Sequence, residues 1–205
     1  MAPKVSEAYK KEKKKELIKA AKQVFIKKGY VHASMQDIMD EAGISRGAFY
    51  SYFDNIDHVF IEVLKYDDEQ DIQFFITADE EPLWAGIEDW VKEQHSVIEA
   101  VNQSLLYAKA EFFLSSQYVK NKENFPYISQ RYEQMVEAIA QVIRKGMEQG
   151  EFQPHLSPNA IARYLISFVN GLMLDTFQLG HEKTEVKNQL NVLLFTLEKM
   201  LRPGL

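Results

Sequence analysis

Ala42-Gly43-Ile44-Ser45-Arg46-Gly47-Ala48-Phe49-Tyr50-Ser51-Tyr52-Phe53 is the stretch whose reading decides the fold. Gly43 supplies a turn conformation that strains other residues, Ala42 is small enough for two helices to approach, and Ile44 is an apolar plug beneath the turn. Ser45 stands where it can cap a following helix. In that helix Phe49 and Phe53 fall one turn apart on the inward side, leaving Arg46, Gly47, Tyr50 and Ser51 outside. Upstream, Ser34 and Asp37 have capping-box spacing, with Asp in place of the usual Glu. Ile38, Met39 and Ala42 then form the inner face of a short helix that stops at Gly43. Two helices joined by so tight a turn form a helix-turn-helix, whose second helix lies in the DNA major groove while the first braces it.

Working outward, Leu17, Ala20, Ala21, Val24 and Phe25 recur at helical spacing, so a first amphipathic helix covers about 8–28 and ends at Gly29. Ile56, Val59, Phe60, Val63 and Leu64 continue with the same period and predict a long connecting helix. Five further helices are expected beyond residue 78, broken at Glu81-Pro82, near Asn102, around 121–126, at 150–158 and near Gly180. No strand pattern competes. The expectation is an all-α chain of about nine helices: a DNA-binding head over 1–54, a connecting helix over 55–77, and a larger helical domain over 78–205.

Charge supports this division. The chain has 205 residues and a net charge of −6, which taken alone argues against a nucleic-acid partner. Residues 1–53, however, hold 11 Lys and Arg against 6 Asp and Glu, an excess of +5, and the remainder carries −11. A basic head on an acidic body binds a polyanion at one end and repels it at the other. There are no cysteines, which excludes disulfides and thiolate chemistry and fits a cytoplasmic protein. Neither a signal peptide nor a membrane span is expected, since the longest uncharged apolar stretch, 164–174, is too short for a bilayer. The five histidines are scattered and no phosphate loop or nucleophile-base motif appears, so no enzyme and no cofactor are expected. His95 with Glu99 lacks a third ligand, so no metal is expected either.

The residue types assign roles on DNA. Arg46, always charged and in the first turn of the reading helix, can take a guanine edge bidentately or a phosphate. Gly47 removes a side chain where the helix comes closest to the groove, Ser51 shares that outer face, and Ser45 sets a hydroxyl near phosphate. Tyr50 and Tyr52 offer phenol hydroxyls to backbone oxygens, and Ser34 and Gln36 can grip the flanking phosphate.

The run from Ala42 to Phe53 closely resembles the signature of the TetR/AcrR family of bacterial regulators. Ala20, Ala21, Phe25 and Gly29-Tyr30, followed by Ala33-Ser34-Met35-Gln36-Asp37-Ile38, resemble the family pattern as well, so the likeness spans about 12–64. It implies an all-α homodimer with an N-terminal reading head, a variable small-molecule domain, and dimerisation through the last two helices. One position departs: Ile56 stands where the family has a phosphate-contacting lysine.

The C-terminal segments 159–178 and 184–201 are apolar around too much of their circumference for one-sided burial, which independently predicts a covering partner. Ile161, Leu165, Phe168, Leu172, Leu190, Leu193, Leu194 and Leu197 are the expected dimer residues. Trp84, Trp90, His95, Tyr107, Phe112, Phe113 and Tyr127 are the candidate lining of a pocket for an apolar or aromatic effector. The expected function is a repressor released from a palindromic double-stranded operator by that effector. A chromosome-organising protein of the same fold without an inducer is the alternative.

Overall fold

The computed structural model describes residues 6–77 and 82–202, and within 70–77 the backbone alone. These residues form eleven α-helical segments and no strand: α1 (Glu7–Lys28), α2 (Met35–Ala42), α3 (Arg46–Phe49), α4 (Ile56–Thr77), α5 (Leu83–Glu99), α6 (Leu106–Leu114), α7 (Ser116–Lys120), α8 (Pro126–Glu148), α9 (Pro158–Leu179), α10 (His181–Thr184) and α11 (Val186–Leu201). The all-α expectation holds, with two more segments than the expected nine. Ser115 is one cause. Its backbone is extended and its hydroxyl accepts from Tyr118 N–H, so α6 ends and α7 begins on the same residue. The other is α10, a single turn before α11 that ends at Glu185 in a left-handed conformation.

The chain divides into two compact units, Met1–Asp68 with Gln103–Phe125, and Glu69–Asn102 with Pro126–Leu205. Chain order alone therefore does not delimit the head: residues 103–125, expected in the C-terminal domain, cluster with the N-terminal helices. The expected boundary at 78 lies outside the described residues.

In the first unit, α1 buries Leu17, Ile18, Ala21, Val24 and Phe25, and α4 buries Val59, Phe60, Val63 and Leu64. Phe60 is the hub. Its ring lies 4.9 Å from Phe25, 5.0 Å from Tyr30 and 5.0 Å from Phe112 of α6. Each fully buried phenylalanine contributes about 1.5–3 kcal/mol, and tilted or edge-on ring pairs add to that. Ion pairs tie the same helices together. Asp67 of α4 accepts from Lys22 of α1 at 2.5 Å and from Lys109 of α6 at 2.9 Å. Glu62 accepts from Lys14 at 2.5 Å and Lys65 at 2.6 Å.

The second unit packs α5, α8, α9 and α11 around one apolar core. Five of the residues expected at a dimer interface, Ile161, Leu165, Leu190, Leu193 and Leu197, are at most 4% exposed, and Leu172 is buried as well. Phe168 and Leu194 are half-buried against that core. Ile161, Leu165, Leu172, Leu190, Leu193 and Leu197 thus pack into the core of their own chain. The large apolar side chains left exposed are Leu174, Phe177 and Leu179 on α9 and Val192 and Phe195 on α11. The loop after α8 closes the core from one end. Glu151 and Phe152 N–H both donate to Gly146 O, and the Glu151 carboxylate accepts from Leu83 and Trp84 N–H, capping α5.

Two outcomes follow. Burial acts to raise the Asp67 pKa, but the Lys109 and Lys22 ammonium groups outweigh it and hold the carboxyl below its usual value of 3.8. A carboxyl depressed on folding adds stability that is present above the unfolded pKa and lost as pH falls through the folded one. Asp67→Asn is expected to cost about 1–3 kcal/mol at pH 7, and urea titrations should show that gap narrowing below pH 4 as wild-type Asp67 protonates. In the second unit, a β-carbon at Gly146 would lie 2.0 Å from the buried Phe152 ring. Gly146→Ala should lower stability by about 1–3 kcal/mol through overpacking, measured by calorimetric melting.

Candidate nucleic-acid interface

The reading helix is set by its neighbours before any DNA is considered. Ser34 caps α2: its Oγ accepts from Asp37 N–H at 3.2 Å, while Asp37 Oδ2 accepts from Ser34 N–H at 3.1 Å and from its hydroxyl at 2.8 Å. This is the capping box with aspartate, and it occupies the Ser34 hydroxyl. Lys28 pairs with the same aspartate at 2.6 Å. That contact, with the Ser34 hydroxyl, holds the Asp37 pKa below the usual range. Gly43 ends the helix at φ 59°, ψ 37°, with its N–H donating to Asp40 O and Ile44 N–H donating to Met39 O. Only glycine takes this left-handed conformation without a steric penalty.

Phe49 N–H donates to Ser45 O at 3.0 Å, so α3 starts directly after the turn, but the Ser45 side chain makes no capping bond, contrary to the sequence expectation. The regular helix covers one turn, and residues 50–52 continue as turns. Phe49 and Phe53 are fully buried, 5.2 Å apart between ring centroids. On the opposite side Ser45, Arg46, Gly47, Tyr50 and Ser51 are exposed, and Tyr52 is half-buried. Arg46 lies over the Tyr50 ring at 5.5 Å, and no carboxylate faces it among the described residues. A side chain at Gly47 would meet open space. Ser51 Oγ donates to Ala48 O at 2.6 Å, and Gln36 Nε2 to Asp40 Oδ1 at 2.8 Å.

Charge on the head is more internally balanced than composition suggests. Lys10, Lys13, Lys14, Lys22, Lys27 and Lys28 all pair with carboxylates. Lys11, Lys15 and Lys19, exposed at i, i+4 and i+8 on α1, have no ion pair among the described residues. At the start of α4, where Ile56 is half-buried, Asn55 Oδ1 caps the helix by accepting from His58 N–H at 2.8 Å. His58 Nδ1 lies 3.2 Å from Asp54 Oδ2. That corner presents carboxylates rather than a lysine.

The expected effector residues are divided between the two units. Tyr107, Phe112 and Phe113 belong to the first unit, where Phe112 is buried in the aromatic cluster around Phe60. Trp84, Trp90, His95 and Tyr127 belong to the second. Trp84 borders an open groove with Arg202, whereas Trp90 faces an apolar seam between Ile87, Ile143, Leu165 and Leu197. His95 Nε2 lies 3.4 Å from Glu99 Oε1, and among the described residues no three potential ligands gather for a metal. No helix among them is long and apolar enough to cross a membrane.

Sequence reasoning missed Glu111. Its carboxylate holds the turn between α1 and α2, and no local signal marks it, since its partners lie 80 residues upstream.

Comparison with known proteins agrees with this geometry. Residues 17–63 match the family described as bacterial regulatory proteins, tetR family, and residues 86–187 match the tetracyclin repressor-like C-terminal domain. The uncharacterized HTH-type transcriptional regulator YfiR of Bacillus subtilis is 29% identical over 91% of this chain and 90% of its own. A TetR transcription regulator from Haloarcula marismortui shares the fold with a TM-score of 0.77 at 20% identity, over 94% of this chain and all of that one. The regulator FadR from Bacillus subtilis, solved with stearoyl-CoA, gives a TM-score of 0.70 at 17% identity, over 92% and 97%. The chain therefore belongs to the TetR family and is a helix-turn-helix, DNA-binding transcriptional regulator.

Proposed function

We propose that this regulator is a homodimeric repressor that reads an inverted-repeat operator through Arg46 and leaves it when an apolar effector binds the second unit. One observation carries the reading. Among the described residues Arg46 stands exposed with no carboxylate partner at the start of α3, braced from behind by buried Phe49 and Phe53. An arginine so held matches the bidentate guanine contact that discriminates bases. Tyr50, Tyr52 and Ser45 are assigned to backbone oxygens, whereas the Ser51 hydroxyl already donates to Ala48 O. Ser34 and Gln36 keep a supporting role, since their side chains already serve Asp37 and Asp40. Lys11, Lys15 and Lys19 supply the unneutralised charge that makes binding salt-dependent.

The dimer reading rests on Leu174, Phe177, Val192 and Phe195, large apolar side chains spaced one turn apart on α9 and α11 and left exposed. Apolar surface gathered in this way marks a protein contact. The effector reading rests on the seam beside Trp90, lined wholly by apolar side chains and holding a cavity of about 20 Å³. Room of that order admits a single water, so an effector enters by widening it. The stearoyl-CoA complex of FadR is a precedent for an apolar-tailed ligand on this fold. Occupancy then shifts the population away from the arrangement in which two heads match half-sites one helical turn apart. No catalysis is assigned to the chain, and its place of action is the nucleoid.

Selection of the purified protein on a random DNA pool is expected to enrich an inverted repeat. Arg46→Ala should lose about 1–3 kcal/mol of preference for the winning sequence over scrambled DNA. Equal preference in wild type and variant overturns the assignment of Arg46. Phe195→Asp is expected to yield a folded monomer in sedimentation equilibrium, with unchanged helicity. A Phe195→Asp protein that remains dimeric removes this face from the interface.

A further inference from the structure

Two features bring α6 to the reading head. The first is a carboxylate clasp. Glu111 Oε2 accepts from Tyr30 N–H at 2.7 Å and from Val31 N–H at 3.0 Å, and the Tyr107 hydroxyl, one turn earlier on α6, bonds the same carboxylate. The second is the glycine that admits it. Gly29 ends α1 at φ 76°, and a β-carbon there would lie 2.4 Å from Glu111 Oε2 and 2.6 Å from the Tyr107 ring. Gly29 is thus required both for its conformation and for the approach of α6.

The clasped amides stand immediately before the DNA-reading elements. Only His32 and Ala33 separate Val31 from Ser34, the cap of α2. Tyr30 is held from its side chain as well. Its ring packs on Phe60 and Phe112, and its hydroxyl donates to Asp57, which also accepts from Gln117 Nε2 at 2.9 Å. The Tyr30 backbone and side chain are therefore both gripped by residues 107–117, a segment distant in the chain from the helices it steadies.

We propose that Glu111 is a positioning residue for operator recognition: by holding the Tyr30 and Val31 amides it sets the direction in which α2 and α3 leave α1, and so where Arg46 is presented. This rests on the DNA reading above and assigns Glu111 no contact with DNA. Stability alone is a different role. A merely structural residue would, on removal, lower binding to every DNA in step with the folded fraction. A positioning residue lowers discrimination while leaving phosphate-borne affinity intact.

The test uses the full chain with Glu111→Gln, Glu111→Leu and Gly29→Ala, the selected operator, and a scrambled duplex. Amide exchange at residues 30 and 31 is followed alongside. Glu111→Gln keeps an oxygen able to accept both N–H groups and should hold its operator preference within about threefold. Glu111→Leu, and Gly29→Ala from the opposite side of the clasp, should lose about tenfold or more in operator affinity, with scrambled-DNA affinity within about twofold. The two amides should exchange faster in both. The double variant should lose little beyond either single one, because both break one contact. A folded Glu111→Leu protein with wild-type discrimination overturns the proposal while the operator reading stands. So does a parallel loss on operator and scrambled DNA that tracks melting temperature. A wild-type protein that prefers no sequence overturns the operator reading and the proposal with it.

Discussion

The reading head is organised around one requirement: the inner face of α4 must be covered on two sides. Phe60 meets Phe25 and Tyr30 from the end of α1 and Phe112 from α6, all within 5.0 Å between ring centroids. With only α1 to α3 present, Phe60 would keep one ring face toward water, and such small bundles bury too little surface to be robust. Supplying Phe112 from residues 103–125 completes the core. It also makes the DNA-binding head dependent on a part of the chain that the helix-turn-helix pattern does not contain.

Polar contacts repeat the same geometry. Asp67 joins Lys22 to Lys109 and Asp57 joins Tyr30 to Gln117, so carboxylates along α4 tie α1 to α6 and α7. The price of burying such groups is offset only when their partners stay in place. Apolar contacts tolerate some sliding between helices, whereas these bonds specify one register. The aromatic cluster therefore supplies most of the cohesion and the ion pairs most of the orientation.

Much of this was legible in sequence, and the reasons differ by element. The capping box at Ser34 and Asp37, the left-handed glycine at 43, and the one-turn spacing of Phe49 and Phe53 depend on contacts within four residues. Reading them required only local rules, and the structure agrees. Ser45 makes no side-chain cap, because residue type licenses a cap without ensuring that the side chain turns toward the helix. The leucines of α9 and α11 were rightly read as belonging to broad apolar faces. Which of those faces turns inward depends on where α5 and α8 lie, and that left Leu174, Phe177, Val192 and Phe195 outside instead. The aromatics of α6 lie near Trp84 and Trp90 in sequence, yet Phe112 packs in the first unit against Phe60 of α4, a contact no local pattern marks.

Sequence by itself determined the class of the molecule, the position of its helix-turn-helix and the identity of Arg46 as the exposed cation of the reading helix. Each follows from periodicity, capping and charge within a few residues. Tertiary structure alone decided the composite head, the pairing of Lys14, Lys22, Lys27 and Lys28 with carboxylates of other helices, and the hold of Glu111 on the turn after Gly29. The physical reason is reach. A backbone amide released at the end of a helix must find an acceptor, but which distant carboxylate arrives there is set by the packing of whole helices, and no local pattern encodes it.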